Sequence, residues 1–158
     1  MRAYVAVVGA GDAAPDEQRD AELVGRGLAE AGAVVVCGGL GGVMEAACRG
    51  AKSAGGTTLG ILPGSRREDA NPHVDIAVAT GLGEMRNGLV VRSADALIAV
   101  GGEFGTLSEI ALALKAGKAV VGLGTWQLSK RGRAVDPIVP ASSAGDAVAR
   151  ALAARGLP

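Results

Sequence analysis

The pattern richest in chemistry is Val100-Gly101-Gly102-Glu103-Phe104-Gly105-Thr106-Leu107-Ser108-Glu109. Its glycines let the backbone come close to a ligand, and the first helical N–H groups after them have no partner inside their own helix. Such a turn is an anion site. Its expected lining is Gly101, Gly102, Glu103, Phe104, Gly105 and Thr106. Glu109 has two readings. Thr106-Leu107-Ser108-Glu109 fits a capping box, with Thr106 accepting from the helix backbone and Glu109 reaching back to the cap N–H. In the other reading, the Glu109 carboxylate serves a ligand held in the turn.

A second stretch has the same plan. Val34-Val35-Val36-Cys37 runs into Gly38-Gly39-Leu40-Gly41-Gly42 and then Val43-Met44-Glu45, so Gly38, Gly39, Gly41 and Gly42 form another candidate phosphate turn. Two such turns at the carboxyl ends of parallel strands would face one crevice, which points to a phosphorylated ligand, most simply a nucleotide. Arg86 is the third candidate. It falls in the first turn of a predicted helix, where a positive charge opposes the macrodipole, so it calls for a partner.

The elements that position these groups follow from periodicity. Ala96-Leu97-Ile98-Ala99-Val100 is short and apolar throughout, as expected of a parallel strand covered on both faces. After it, Leu107, Ile110, Ala111 and Leu114 recur at helical spacing until Gly117 supplies a left-handed stop. Further strands are predicted at Ala3 to Val8, Ala33 to Cys37, Thr57 to Leu62, Val74 to Val78 and Ala119 to Leu123. A helix from Asp16 to Ala31 has Ala21, Leu23, Val24, Gly27, Leu28 and Ala31 on or near one face and charges elsewhere, another runs from about Val43 to Ala54, and a last one follows Ser142-Ser143. Gly9-Ala10-Gly11 is a weak dinucleotide signal, because Ala13-Ala14-Pro15 separates it from its helix. The polar loop from Pro63 to His73 offers Arg66, Arg67 and His73 either to a phosphate or base or to solvent alone, and Ser129 to Val135 reads as a basic, mobile stretch. This alternation specifies an α/β Rossmann-like three-layer fold, with a parallel sheet of about six or seven strands between helices, in one nucleotide-binding domain spanning 1–158.

Composition narrows the function. The chain of 158 residues is 49% hydrophobic, enough for one core, and sixteen basic residues balance sixteen acidic ones. No basic field attracts nucleic acid or an anionic membrane, and three aromatics, Tyr4, Phe104 and Trp126, make no stacking platform. One His and two separated cysteines form no metal set; Cys37 and Cys48 fit a reducing, cytoplasmic compartment, and Cys37 either lines the cleft or is a small buried thiol.

With Met85-Arg86-Asn87 and the Gly38 to Met44 turn upstream of it, the Gly101 to Glu109 stretch resembles the LONELY GUY superfamily of Rossmann-like proteins, long labelled "possible lysine decarboxylase". Characterised members hydrolyse cytokinin-type nucleoside 5'-monophosphates to base and ribose 5-phosphate. Their Pro-Gly-Gly-x-Gly-Thr-x-x-Glu motif supplies the phosphate turn and a catalytic glutamate, and an Arg-Lys pair supplies a catalytic arginine. By this resemblance Glu109 and Arg86 are the catalytic pair. Val100 stands where the motif has proline, and Asn87 where the pair has lysine. Both departures, and the Gly117 to Trp126 stretch, look closer to a short-chain branch similar to the molybdenum cofactor carrier protein, which binds a phosphorylated pterin without turning it over. The resemblance therefore implies a phosphoribohydrolase or a carrier, with no required cofactor, a nucleoside monophosphate or a molybdopterin as ligand, and a homodimer or homotetramer. Lysine decarboxylation is not implied, since it needs pyridoxal phosphate on a Schiff-base lysine and no lysine here has that setting.

Overall fold

Apolar residues at nearly every position of the central strands leave no polar face, so the strands lie inside a sheet covered on both sides. The computed structural model describes residues 1–135 and 137–154. In chain order it comprises β1 (Tyr4–Gly9), α1 (Pro15–Glu30), β2 (Val34–Cys37), α2 (Val43–Ser53), β3 (Thr57–Leu62), β4 (Ile76–Ala79), α3 (Asn87–Arg92), β5 (Ala96–Val100), α4 (Phe104–Lys115), β6 (Ala119–Leu123), β7 (Leu128–Lys130), β8 (Arg133–Val135), β9 (Ile138–Pro140) and α5 (Ala144–Ala153). Short 3-10 turns at Arg67–Asp69 and Gly83–Arg86 flank β4. Seven strands make one parallel sheet in the order β4-β3-β2-β1-β5-β6-β9. This is the three-layer Rossmann-like fold that the alternation predicts.

Alternate residues of each strand feed two cores. Val5, Val7, Val35, Ile98 and Val121 pack with α1, α2 and α5, whereas Ala6, Val8, Val36, Leu97 and Val120 pack with α3 and α4. On the first face, α1 and α2 approach very closely. A Cβ on Gly25 would stand 1.9 Å from the Ala47 carbonyl oxygen, and one on Gly50 the same distance from that of Glu22. Only glycine fits there.

The structure departs from the sequence reading at several places. Leu23 is 51% exposed and not part of the buried face of α1, which is Ala21, Val24, Gly25 and Leu28. The fourth strand starts at Ile76, because Asn71 and Asp75 hold the preceding segment in a turn: the Asn71 side chain accepts from His73 N–H, and Asp75 accepts from Thr58. Ser129 to Val135 is an antiparallel hairpin, β7 and β8, turned by Arg131 and Gly132 at positive φ. β9 has no counterpart in the sequence reading; three residues ending in proline are a weak signal, and proline is tolerated here because β9 pairs with β6 and sits last in the strand order. Among the described residues no helix is long and apolar enough to cross a membrane.

Candidate functional site

The strand order reverses between β1 and β5, with β2 on one side and β6 on the other. In open parallel sheets that reversal opens a crevice at the carboxyl ends of the strands. A cavity of about 260 Å³ lies there, formed by the β1 exit Gly9 to Asp12, Gly38 after β2, Arg86 and Asn87, and Glu103, Gly105, Thr106 and Glu109 around the start of α4.

The turn after β5 takes its shape from glycine. Gly101 and Gly102 have φ of 53° and 104°, and a Cβ on Gly102 would meet the Thr106 side chain at 2.5 Å. The helix starts at Phe104 with Glu103 as its N-cap, and no side chain caps it. The capping-box reading therefore fails: Thr106 lies inside the first turn, and Glu109 one turn further on, away from the cap. The resembled motif has one residue between its Gly-Gly and Gly-Thr pairs, whereas this chain has two, Glu103 and Phe104. Behind the turn, the Thr125 hydroxyl donates to the Gly101 carbonyl, and the Trp126 indole N–H donates to that of Glu103 at 3.3 Å. The Trp126 and Phe104 rings pack with centroids 5.6 Å apart.

Arg86 ends the 3-10 turn before α3, and its side chain is buried. Nη2 donates to the Gly38 carbonyl at 3.4 Å and Nη1 to the Asn87 side-chain oxygen. Asn87 in turn reaches Ser108, whose hydroxyl donates to the Gly105 carbonyl at 2.6 Å, so the guanidinium is tied to the α4 turn. Among the described residues the Nε–H of Arg86 has no partner. A buried charged donor left unsatisfied is costly, and an anion accepting from it would remove that cost.

Glu109 is 7% exposed and opens onto the same cavity. Burial disfavours its charged form and outweighs the attraction of Arg86, so its carboxyl is pushed up to about 7. The ion pairs among the described residues do not include Arg86 with Glu109.

The first glycine turn is built differently. Gly38 lines the cavity, but Gly42 packs against the β1 exit, and Val43 N–H at the start of α2 donates to the Ala10 carbonyl. Gly39 packs on Leu62, its carbonyl accepting from Asn71 N–H, while Gly41 comes within 3.6 Å of the Gly11 carbonyl oxygen only if given a Cβ. Gly101, Gly102 and Phe104 shape or flank the second turn without lining the cavity, and Arg66, Arg67 and His73 stand outside it. Cys37 is a fully buried thiol, 3.5 Å from that of Cys48 and accepting from Gly39 N–H. Its hydrogen bond with Cys48 pulls it down, and the same bond together with burial pushes Cys48 up.

The sequence reading missed Asp12, Asn87 and Met44 as cavity residues. The Gly9-Ala10-Gly11 signal for the first was present, at the end of a central strand, but its helix starts only at Pro15 and not directly after the glycines.

The fold recurs in known proteins. The model of the SLOG cluster4 family matches residues 2–150. An uncharacterized protein of Archaeoglobus fulgidus is 52% identical over 120 residues, 75% of this chain and 78% of that one. The molybdenum cofactor binding protein of Rippkaea orientalis superposes with a TM-score of 0.87 at 35% identity, covering 97% of each chain. The molybdenum cofactor carrier protein of Chlamydomonas reinhardtii does so with a TM-score of 0.82 at 33% identity, covering 98% of each. The resemblance read from the glycine turns holds at the level of the superfamily and its carrier branch, and the chain belongs to the SLOG cluster4 family.

Proposed function

We propose that this chain binds a small phosphorylated ligand of the molybdopterin kind in the switch-point cavity and holds it without turnover. The observation that carries this reading is the buried, unpartnered Nε–H of Arg86 beside the uncapped start of α4. A phosphate there accepts from the guanidinium and from the N–H groups of Gly105 and Thr106, replacing water with fixed donors. The likeness over nearly the whole length to a molybdenum cofactor binding protein supports the pterin as the remainder of the ligand. Mass spectrometry of small molecules that copurify with the chain tests it: a molybdopterin supports the proposal, and a nucleoside monophosphate in its place overturns it.

One observation favours a second reading, hydrolysis of a nucleoside 5'-monophosphate. A carboxyl titrating at about 7 beside an arginine is suited to proton transfer at neutral pH. Glu109 would take a proton from water as its oxygen bonds to the ribose anomeric carbon, while the C–N bond breaks and the base leaves with its electron pair and takes a proton from solvent. Release of free base from a panel of nucleoside monophosphates would establish this reading; none across the panel excludes it.

The homo-oligomer belongs to the same proposal. Met85 and Phe104 are 79% and 77% exposed and, with Leu112, make an apolar face beside the cavity. Such a face is suited to a second copy of the chain.

A further inference from the structure

A buried acid shares the cavity with the groups that would hold the anion. Thr106 and Glu109 both line it and stand three residues apart on α4, a spacing that sets Cβ atoms about 5–6 Å from each other on one helix face. Helical side chains lean toward the N-terminus of their helix, so the Glu109 carboxyl reaches back toward the Gly105 and Thr106 N–H groups. Arg86 lines the same cavity, buried and with no partner for its Nε–H among the described residues. The hydrogen bonds that tie Arg86 to Gly38, Asn87 and Ser108 leave Glu109 out, and so do the ion pairs among the described residues. A side chain only 7% exposed is thus left uncommitted beside an unsatisfied cation.

A phosphate held by Arg86 and the α4 start brings its own negative charge. An ionised Glu109 next to it would set two anions together out of water, with one guanidinium to serve both. Arg86 is also the group whose attraction holds the Glu109 carboxyl down against its burial, and an anion on Nε–H draws that attraction to itself. A proton removes the conflict. A carboxyl and a phosphate oxygen that hold one proton between them form an O–H···O⁻ bond, which is short and strong because one partner is ionised. The other ionisable groups around the cavity are placed differently. Asp12 at the β1 exit and Glu103 at the N-cap are exposed acids, and the Cys37 thiol at the end of β2 is engaged with Cys48 and the Gly39 N–H.

We infer that Glu109 is itself a ligand of the phosphate, the two sharing one proton in a hydrogen bond, so that loading the cavity takes up a proton from solvent at neutral and alkaline pH. This inference rests on the proposed phosphorylated-ligand site and adds a binding residue and a direction: the chain loads as pH falls and unloads as pH rises. The proton balance follows from the free partners. Above about pH 7 the free carboxyl is ionised, and a phosphate monoester has already lost its second proton at about pH 6, so the shared proton enters from solvent with the ligand.

Calorimetric titration of the full chain at about pH 8, in two buffers of different ionisation enthalpy, counts the protons taken up with ribose 5-phosphate and with molybdenum cofactor. The expected result is close to one proton per ligand for the wild type and close to none for Glu109→Gln, whose amide N–H donates to the phosphate without a proton from solvent. From about pH 7 to 9 the wild-type affinity falls by a factor approaching tenfold per pH unit, while that of the variant stays level. Binding by the wild type without proton uptake overturns the inference and leaves the phosphate site standing. Uptake that persists in Glu109→Gln does the same, since Asp12, Glu103 or Cys37 then takes the proton. Absence of binding by both ligands overturns the phosphate site itself. Far-ultraviolet circular dichroism of the variant separates lost proton linkage from lost folding.

Discussion

Replacing Glu109 with glutamine removes an ionisation that the fold opposes. The carboxyl titrates at about 7 in the folded chain against 4.5 for the ordinary side chain. The folded state therefore holds its proton more tightly than the unfolded state does. Stability from this group is fully present below about pH 4.5, is lost as pH rises toward 7, and is constant above that. With about 1.4 kcal/mol per pH unit, the loss approaches about 3 kcal/mol. Between pH 5 and 8 the expected change is about 2.5 kcal/mol, because both ends of the window are trimmed. Urea unfolding of wild type and Glu109→Gln across this range measures it. Taking the difference between the two proteins cancels the other titrating groups, including Asp75 and Asp146, which their hydrogen bonds hold below the usual range. The variant gains on the wild type steadily as pH rises. Parallel curves, within about 0.5 kcal/mol across the range, would mean that Glu109 is solvated or hydrogen-bonded as an ordinary carboxylate, and would refute its placement on the cavity floor.

Other consequences are as direct. Gly25→Ala drives a methyl into the Ala47 carbonyl, and thermal or urea unfolding should report a loss of about 3 kcal/mol or more, with unchanged stability contradicting the close α1–α2 crossing. Trp126 is the single tryptophan and bonds the Glu103 carbonyl, so its fluorescence should change on titration with ligand; a flat signal at saturation would detach it from the turn. Met85→Glu places a charge on the apolar face beside the cavity, and light scattering should register a smaller assembly; the same mass as wild type would move the interface elsewhere.

The fold was legible because each central strand is short and apolar throughout and three of the helices have a marked stop. Gly32, Gly55 and Gly117, all at positive φ, follow α1, α2 and α4 closely. The hairpin and β9 were not, since three-residue strands carry too few residues for a period. At the site, the glycine turn before α4 could be read from glycine spacing, and Arg86, which lines the cavity, from a charge misplaced against a helix dipole. The helix start could not. A Thr-x-x-Glu pattern is compatible with a cap at either Glu103 or Thr106, and the choice depends on the backbone path through two glycines at positive φ. The different build of the first turn was equally hidden, because it depends on Val43 N–H finding the Ala10 carbonyl across the sheet, a contact between residues far apart in sequence.

The most direct test of the site is calorimetric titration of molybdenum cofactor into wild type, Arg86→Lys and Arg86→Ala. Saturable binding by the wild type, weakened about tenfold or more in Arg86→Ala and restored only in part by Arg86→Lys, is the predicted result, because a lysine keeps the charge and loses the planar fork. No binding by the wild type, or equal binding by folded Arg86→Ala, would contradict the assignment of the anion to Arg86 and the start of α4.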